Sequence, residues 1–187
     1  MYKRQGWEFV TFLNYTIGNF PDVSWTGGVF TDEERAKMLD FSFKHWTAHS
    51  PYLKGYLSLT LKRAGRGEDA ELVWASVMDS ARTDEDTGTS WAPEDRGWLW
   101  YNDTIETHAF ALRTLMELDP ADARSEGLVQ WLFLNKKLNH WKSTRATSEV
   151  IYSVAWYLRE TGALGVRETV TAEACGCLLY TSDAADE

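Results

Sequence analysis

Helices stacked as hairpins, an all-α fold, are what three features of this sequence predict. Apolar residues recur at helical spacing in six separate segments. Several of those segments open on a Ser, Thr or Asp placed to cap a first turn. One opening occurs twice: Asp103-Thr104-x-x-Thr107 aligns with Ser143-Thr144-x-x-Thr147. A period of about 40 residues suggests hairpins that bury their apolar faces only against neighbours.

The segment before residue 31 carries mixed signals. Trp7-Glu8-Phe9-Val10-Thr11-Phe12-Leu13 fits a strand or a helix stub, and Gly18-Asn19-Phe20-Pro21-Asp22 and Gly27-Gly28 are turn material. Thr31-Asp32-Glu33-Glu34 is a capping box, and its helix is expected to reach about Ala48 with Ala36, Leu39, Phe43 and Trp46 inward. Ser50-Pro51 starts the next, with proline at the first position, and Leu53, Tyr56, Leu57 and Leu61 carry it to Gly65 or Gly67. A third runs from Glu68 to about Arg82 around Leu72, Val73, Ser76 and Val77.

Residues 83–102 lack helical periodicity, which suits a functional loop or a small hairpin. Asp103 then caps a helix with Ile105, Ala109, Leu112 and Met116 on one face, Glu106 sits where a capping box needs it, and Asp119-Pro120 ends the run. Ser125 to about Lys137 supplies a short partner through Leu128, Trp131, Leu132 and Leu134. The last helix places Ala146, Val150, Val154 and Tyr157 together and stops at Gly162, its expected C′ residue. Val166 to Ala172 alternates with β-branched residues and reads as a first strand.

Both ends read as translated sequencing adapter. Met1-Tyr2-Lys3-Arg4-Gln5 is what the end of a common transposon-type adapter encodes, and the stretch from Cys177 to Glu187 is what its reverse complement encodes. The expected organisation is therefore adapter over 1–5, a poorly defined segment over 6–30, a helical domain over 31–162, the start of a β domain over 163–176 and adapter over 177–187. The formal net charge is −9, and setting the ends aside leaves the chain acidic. An acidic chain without a basic stripe argues against nucleic acid and anionic membranes as main partners. No apolar run approaches the roughly 18–20 residues that cross a bilayer, so membrane anchoring would need parts outside this sequence. Ten tryptophans are the outstanding compositional fact, because four of the large aromatics, Trp91, Trp98, Trp100 and Tyr101, fall in or beside the one long loop.

About six helices in three hairpins fit a closed α/α toroid, in which inner and outer helices alternate, or an open solenoid. The long aromatic loop favours the toroid. Four stretches carry a resemblance: Asp95-Arg96-Gly97-Trp98-Leu99-Trp100-Tyr101-Asn102-Asp103-Thr104-Ile105-Glu106-Thr107, Leu128-Val129-Gln130-Trp131-Leu132, Trp141-Lys142-Ser143-Thr144-Arg145-Ala146-Thr147 and Trp156-Tyr157-Leu158. Together they resemble bacterial members of the alpha-2-macroglobulin family, in the second half of the thioester, or complement-like, domain. The resemblance covers residue 52 to about 171 and the first fifty residues poorly. It implies an incomplete α/α toroid of the terpenoid-cyclase-like kind, followed by a β domain. It also implies a non-enzymatic parent, periplasmic or extracellular, that traps target proteases by conformational change. The family's Cys-Gly-Glu-Gln thioester motif is absent, and Cys175-Gly176-Cys177 does not replace it. No catalytic, cofactor or metal-binding residue is carried over.

Trp91, Trp98, Trp100, Tyr101 and His108 form the expected mouth or shield surface, whose bland counterpart is a set of hydrophobic plugs. Thr104, Thr107, Thr144 and Thr147 read as helix-start residues. His45-x-x-x-His49 has a metal-ligand spacing but lacks a third ligand. Glu94, Asp95, Asp103 and Glu106 would serve a carbohydrate-active toroid with a Trp-lined cleft, where paired carboxylates do acid and base work. A helical-repeat binding scaffold without chemistry is the other alternative.

Overall fold

The computed structural model describes residues 2–20, 29–91, 103–163, 169–174 and 177–183, with the backbone alone over 2–5, 169–174 and 177–183. Among them are seven α-helices: α1 (Tyr2–Gly18), α2 (Asp32–Lys44), α3 (Pro51–Arg63), α4 (Gly67–Met78), α5 (Thr104–Leu118), α6 (Arg124–Leu134) and α7 (Thr144–Glu160). Strands β1 (Arg82–Asp84) and β2 (Gly88–Ser90) pair antiparallel, as do β3 (Thr169–Ala174) and β4 (Cys177–Asp183).

Local chemistry starts the helices largely where the sequence places them. Thr31 and Glu34 complete a reciprocal capping box on α2. Ser50 accepts from the Leu53 N–H with Pro51 at the first turn of α3, and Ser143 accepts from the Ala146 N–H of α7. Asp103 accepts from the N–H groups of Ile105 and Glu106. The capping box expected at α5 does not form, because the Glu106 carboxylate turns to Arg145 instead. Gly162 ends α7 at φ 75 as expected.

Three expectations are corrected and one open alternative is resolved. Residues 7–13, which fitted a strand or a helix stub, are helical, within α1, where Thr11, Asn14 and Ile17 form the buried stripe; two of these three are polar, which concealed the helical period. A seventh helix therefore joins the expected six, and it begins among the residues read as adapter. The helix starting at Asp32 ends at Lys44, and a 3-10 turn, Trp46–Ala48, completes the expected span. Leu72 and Leu134, assigned inward, are exposed, as is Ala36, because α4 and α6 bury the stripes that contain Val73 with Val77 and Leu128 with Leu132. The expected strand is present over Thr169–Ala174, its expected start at Val166 lying outside the described residues, and its partner, Cys177–Asp183, lies in the segment read as adapter.

α3 packs against α1, α2, α4 and α5, and α5 packs against α3, α6 and α7. The odd-numbered helices run parallel to their odd-numbered neighbours. Tyr56 in α3 meets Tyr15 of α1 and Phe110 of α5, while at the far end Arg63 bonds Asn19 and Glu117. α4 returns antiparallel along α3, so Lys54 near the start of α3 donates to Ser76 near the end of α4. The result is a layer of α1, α3, α5 and α7, backed by α2, α4 and α6. Gly55 permits the close crossing of α3 and α5, since a Cβ there would lie 2.9 Å from the Phe110 ring.

The β1–β2 hairpin answers the loop-or-hairpin alternative for the first part of residues 83–102. It docks on α6 through two glycines. Gly88, at φ 78, would place a Cβ 2.3 Å from the Gly127 carbonyl oxygen, and a Cβ on Gly127 would lie 2.2 Å from Thr89 Oγ1. Gly88→Ala therefore meets both a backbone penalty and a backbone clash. It is expected to lower stability by about 2–4 kcal/mol, read by urea denaturation, whereas Gly67→Ala, whose Cβ would meet nothing within 4 Å, should change it little.

Candidate functional site

The N-terminal ends of α5 and α7 lie side by side, and the two matched openings meet there. Lys142, which precedes the cap of α7, bonds the Asp103 carboxylate that caps α5, at 2.9 Å. Arg145 in the first turn of α7 holds Glu106 in the first turn of α5 by two charge-assisted bonds, one of them 2.7 Å. The spacing of each opening thus puts a carboxylate on α5 opposite a cation on α7 at two successive positions. Glu106 is only 3% exposed, so this carboxylate depends on its partner for solvation.

Behind this pair sits His108, fully buried. Its Nε2 accepts from the Trp91 N–H at 3.1 Å, so Nδ1 carries the proton and donates to the Thr104 carbonyl at 2.6 Å. The ring stacks on Trp131 at 3.7 Å between centroids, with Trp91 tilted against it at 5.0 Å. Trp91 is itself buried and donates its indole N–H to the Val77 carbonyl at 2.8 Å. Burial holds the His108 pKa down to about 4, despite the opposing bond to Thr104. Trp91 and His108, expected on a mouth surface, are therefore core: they fasten the end of the hairpin to α5 and α6. Trp98, Trp100 and Tyr101 lie outside the described residues.

Trp141, just before α7, repeats the pattern of Trp91, donating its indole N–H to the Leu132 carbonyl at 2.7 Å. Its backbone N–H donates to Thr147 Oγ1, which in turn donates to the Ser143 carbonyl. Thr107 is buried and Thr147 half-buried, as helix-start residues that also pack.

The sequence concealed a second feature. Across the odd-numbered layer, Tyr15 stacks on Tyr56 at 4.1 Å, Tyr56 meets Phe110 edge-on at 4.6 Å, and the Arg113 guanidinium lies over Phe110 at 5.0 Å and over Tyr152 at 4.5 Å. Arg113 also pairs with Glu149. The ladder joins α1, α3, α5 and α7, and its members lie too far apart in sequence for any motif to show them. Tyr56 donates its hydroxyl to Tyr52 at 3.0 Å, and burial pushes the Tyr56 phenol up to about 12 and the Tyr52 phenol higher still.

The histidine pair does not form a ligand set. Its spacing requires one continuous helix, and α2 ends at Lys44. His45 stacks on Trp7 at 4.1 Å, while His49 turns inward, its Nε2 within 2.9 Å of Thr11 Oγ1. Burial, with the neighbouring His45 and Lys54, holds His49 down to about 4. Among the described residues no group of three His, Cys, Asp or Glu could hold a metal. For acid and base work, Asp103 and Glu106 are both engaged with cations, and Glu94 and Asp95 lie outside the described residues. Comparison of the chain with family models, with curated proteins and with solved structures returned no match.

Two outcomes follow from these residues. Both buried histidines are held neutral, so their stabilising share is fully present above about pH 6.5 and is lost as pH falls toward 4. Each is worth on the order of 3 kcal/mol across that window; chemical denaturation at pH 7 and pH 4.5 should show the fall, and His108→Gln should remove about half of it, leaving the His49 share. Arg145→Ala leaves the Glu106 carboxylate buried without its partner and should cost about 1–3 kcal/mol. Adding Glu106→Gln to that variant should restore much of the loss in a double-mutant cycle.

Proposed function

We propose that this chain is part of an α/α toroid from a protein of the alpha-2-macroglobulin family, and that its own role is structural. The reading is supported by the motifs shared with that family and by the alternation of parallel odd-numbered helices with a second layer. The observation that carries it is the joining of the two matched openings, Asp103 to Lys142 and Glu106 to Arg145. A repeated Trp, cap and threonine pattern here closes one end of adjacent parallel helices, as a toroid needs at every inner step.

In this reading the parent is a broad-spectrum endopeptidase inhibitor, periplasmic or extracellular. A target protease cuts an exposed segment of the parent, and the resulting collapse encloses the protease. The helical layer is the rigid body that moves in that collapse. If the parent carries a thioester, the layer keeps it dry until then, because a thioester acyl carbon is far more electrophilic than an amide and survives only away from water. The present segment contributes no reacting group of its own.

The test is made on the parent. Long-read sequencing of the source sample across both ends recovers the gene, and the encoded protein is then exposed to a general protease while its radius of gyration is followed by solution scattering. Compaction on cleavage, with β domains flanking a completed toroid, is the expected result. Flanks that complete a stand-alone toroid with a second carboxylate facing the tryptophan loop, and turnover of an oligosaccharide, would overturn it in favour of a carbohydrate-active enzyme.

A further inference from the structure

The turn between α6 and α7 is built against its own stability. Lys137 and His140 exchange backbone hydrogen bonds of 2.8 and 3.0 Å around the two-residue loop Leu138-Asn139. The first loop residue takes φ 52, a conformation that glycine or asparagine adopts freely and leucine does not. That leucine is 95% exposed, and Phe133 and Leu134 beside it are 51% and 60% exposed. A strained backbone that presents a bare leucine to solvent serves neither the turn nor the core.

The charge around it is equally local. No Asp or Glu occurs between Glu126 and Glu149, while Lys136, Lys137, Lys142 and Arg145 fall in that interval of a chain whose net charge is −9. Lys142 and Arg145 are engaged with Asp103 and Glu106, but Lys136 and Lys137 have no carboxylate partner among the described residues. His140 is exposed beside them. The acidic first turns, Asp32 to Glu34 of α2, Glu68 and Asp69 of α4 and Glu126 of α6, lie at the opposite end of the array. A helix length of about 16–20 Å separates them from this corner, beyond the screening length of about 8 Å in physiological salt. Among the described residues, the carboxylates in contact with this corner are Asp103 and Glu106, already taken up by Lys142 and Arg145, while Gln130 on α6 donates to the Glu85 and Asp86 carbonyls of the hairpin turn.

We propose that the α6–α7 corner docks on an anionic lipid surface, with Leu138 entering the interface and Lys136 and Lys137 facing the headgroups. The composition of the whole chain argues against such a partner, and the corner reverses that sign locally. The apolar tip is convex and narrow, so it needs no matched cavity, which a bilayer does not offer and a protein groove would have to supply. Apolar insertion and basic attraction act together, each too weak alone for stable attachment.

The full chain is sedimented with vesicles of equimolar phosphatidylcholine and phosphatidylglycerol, and with phosphatidylcholine alone, at low and physiological salt. Binding to the anionic vesicles alone, weakened by salt, is expected. Leu138→Gly keeps the turn and relieves its backbone, so it should raise the melting temperature while lowering vesicle affinity about tenfold. Replacing Lys136 and Lys137 together by Gln should lower affinity about tenfold or more and remove most of the salt dependence. Absence of binding to the anionic vesicles overturns the proposal, as does binding that Leu138→Gly leaves unchanged. A concentration-dependent dimer that Leu138→Gly dissolves, without vesicle binding, would assign the corner to a second copy of this chain instead.

Discussion

The buried carboxylate of Glu106 is the constraint around which the second half of the chain is arranged. A carboxylate almost wholly removed from water has to find a cation, and Arg145 can reach it only if α7 lies parallel to α5 with its first turn level with that of α5. That requirement fixes both the register and the direction of α7. Lys142 and Asp103 repeat the lock one turn nearer the end, so the pairing resists sliding along the helices as well as separation. With α7 so placed, Ala146, Val150 and Val154 meet Ala109 and Leu112, and a single apolar cluster runs from α4 through α5 and α6 to α7.

Tryptophan does a related task with a different handle. Trp91 and Trp141 each bury a large apolar face and spend the indole N–H on a carbonyl that closes a helix end, Val77 for α4 and Leu132 for α6. Each thereby satisfies one of the carbonyls that a helix leaves unpaired at its C-terminus and anchors the chain that follows. His108 completes the same arrangement from α5, as a neutral ring whose two nitrogens are both spoken for. The high tryptophan content thus serves helix ends as much as the core.

How much of this could be read from the sequence follows from the range of each interaction. Caps at Thr31, Ser50, Asp103 and Ser143, and the apolar stripes of α3, α5 and α7, depend on residues a few positions apart and were legible. Glu106 misled because its spacing satisfied a local rule while its real partner lay 39 residues away. α1 misled because its inward face is half polar, and Thr11 and Asn14 become core residues only when His49 and Ser42 arrive to bond them. The Tyr15–Tyr56–Phe110–Arg113–Tyr152 ladder and the contact of Gly88 with Gly127 involve five helices and a hairpin, and no single window of sequence contains them.

The parallel layer also sets the order in which the chain can fold. The side-chain bonds that join its successive members span 36 to 55 residues, from Arg113–Glu149 to Lys62–Glu117, and none of those bonds skips a member of the layer. Contacts of this reach are non-local, so each requires a loop to close before it contributes, but they can be made in sequence as the polypeptide leaves the ribosome. α3 settles on α1 before α5 exists, and the charge pairs of Asp103 and Glu106 wait for the arrival of Lys142 and Arg145.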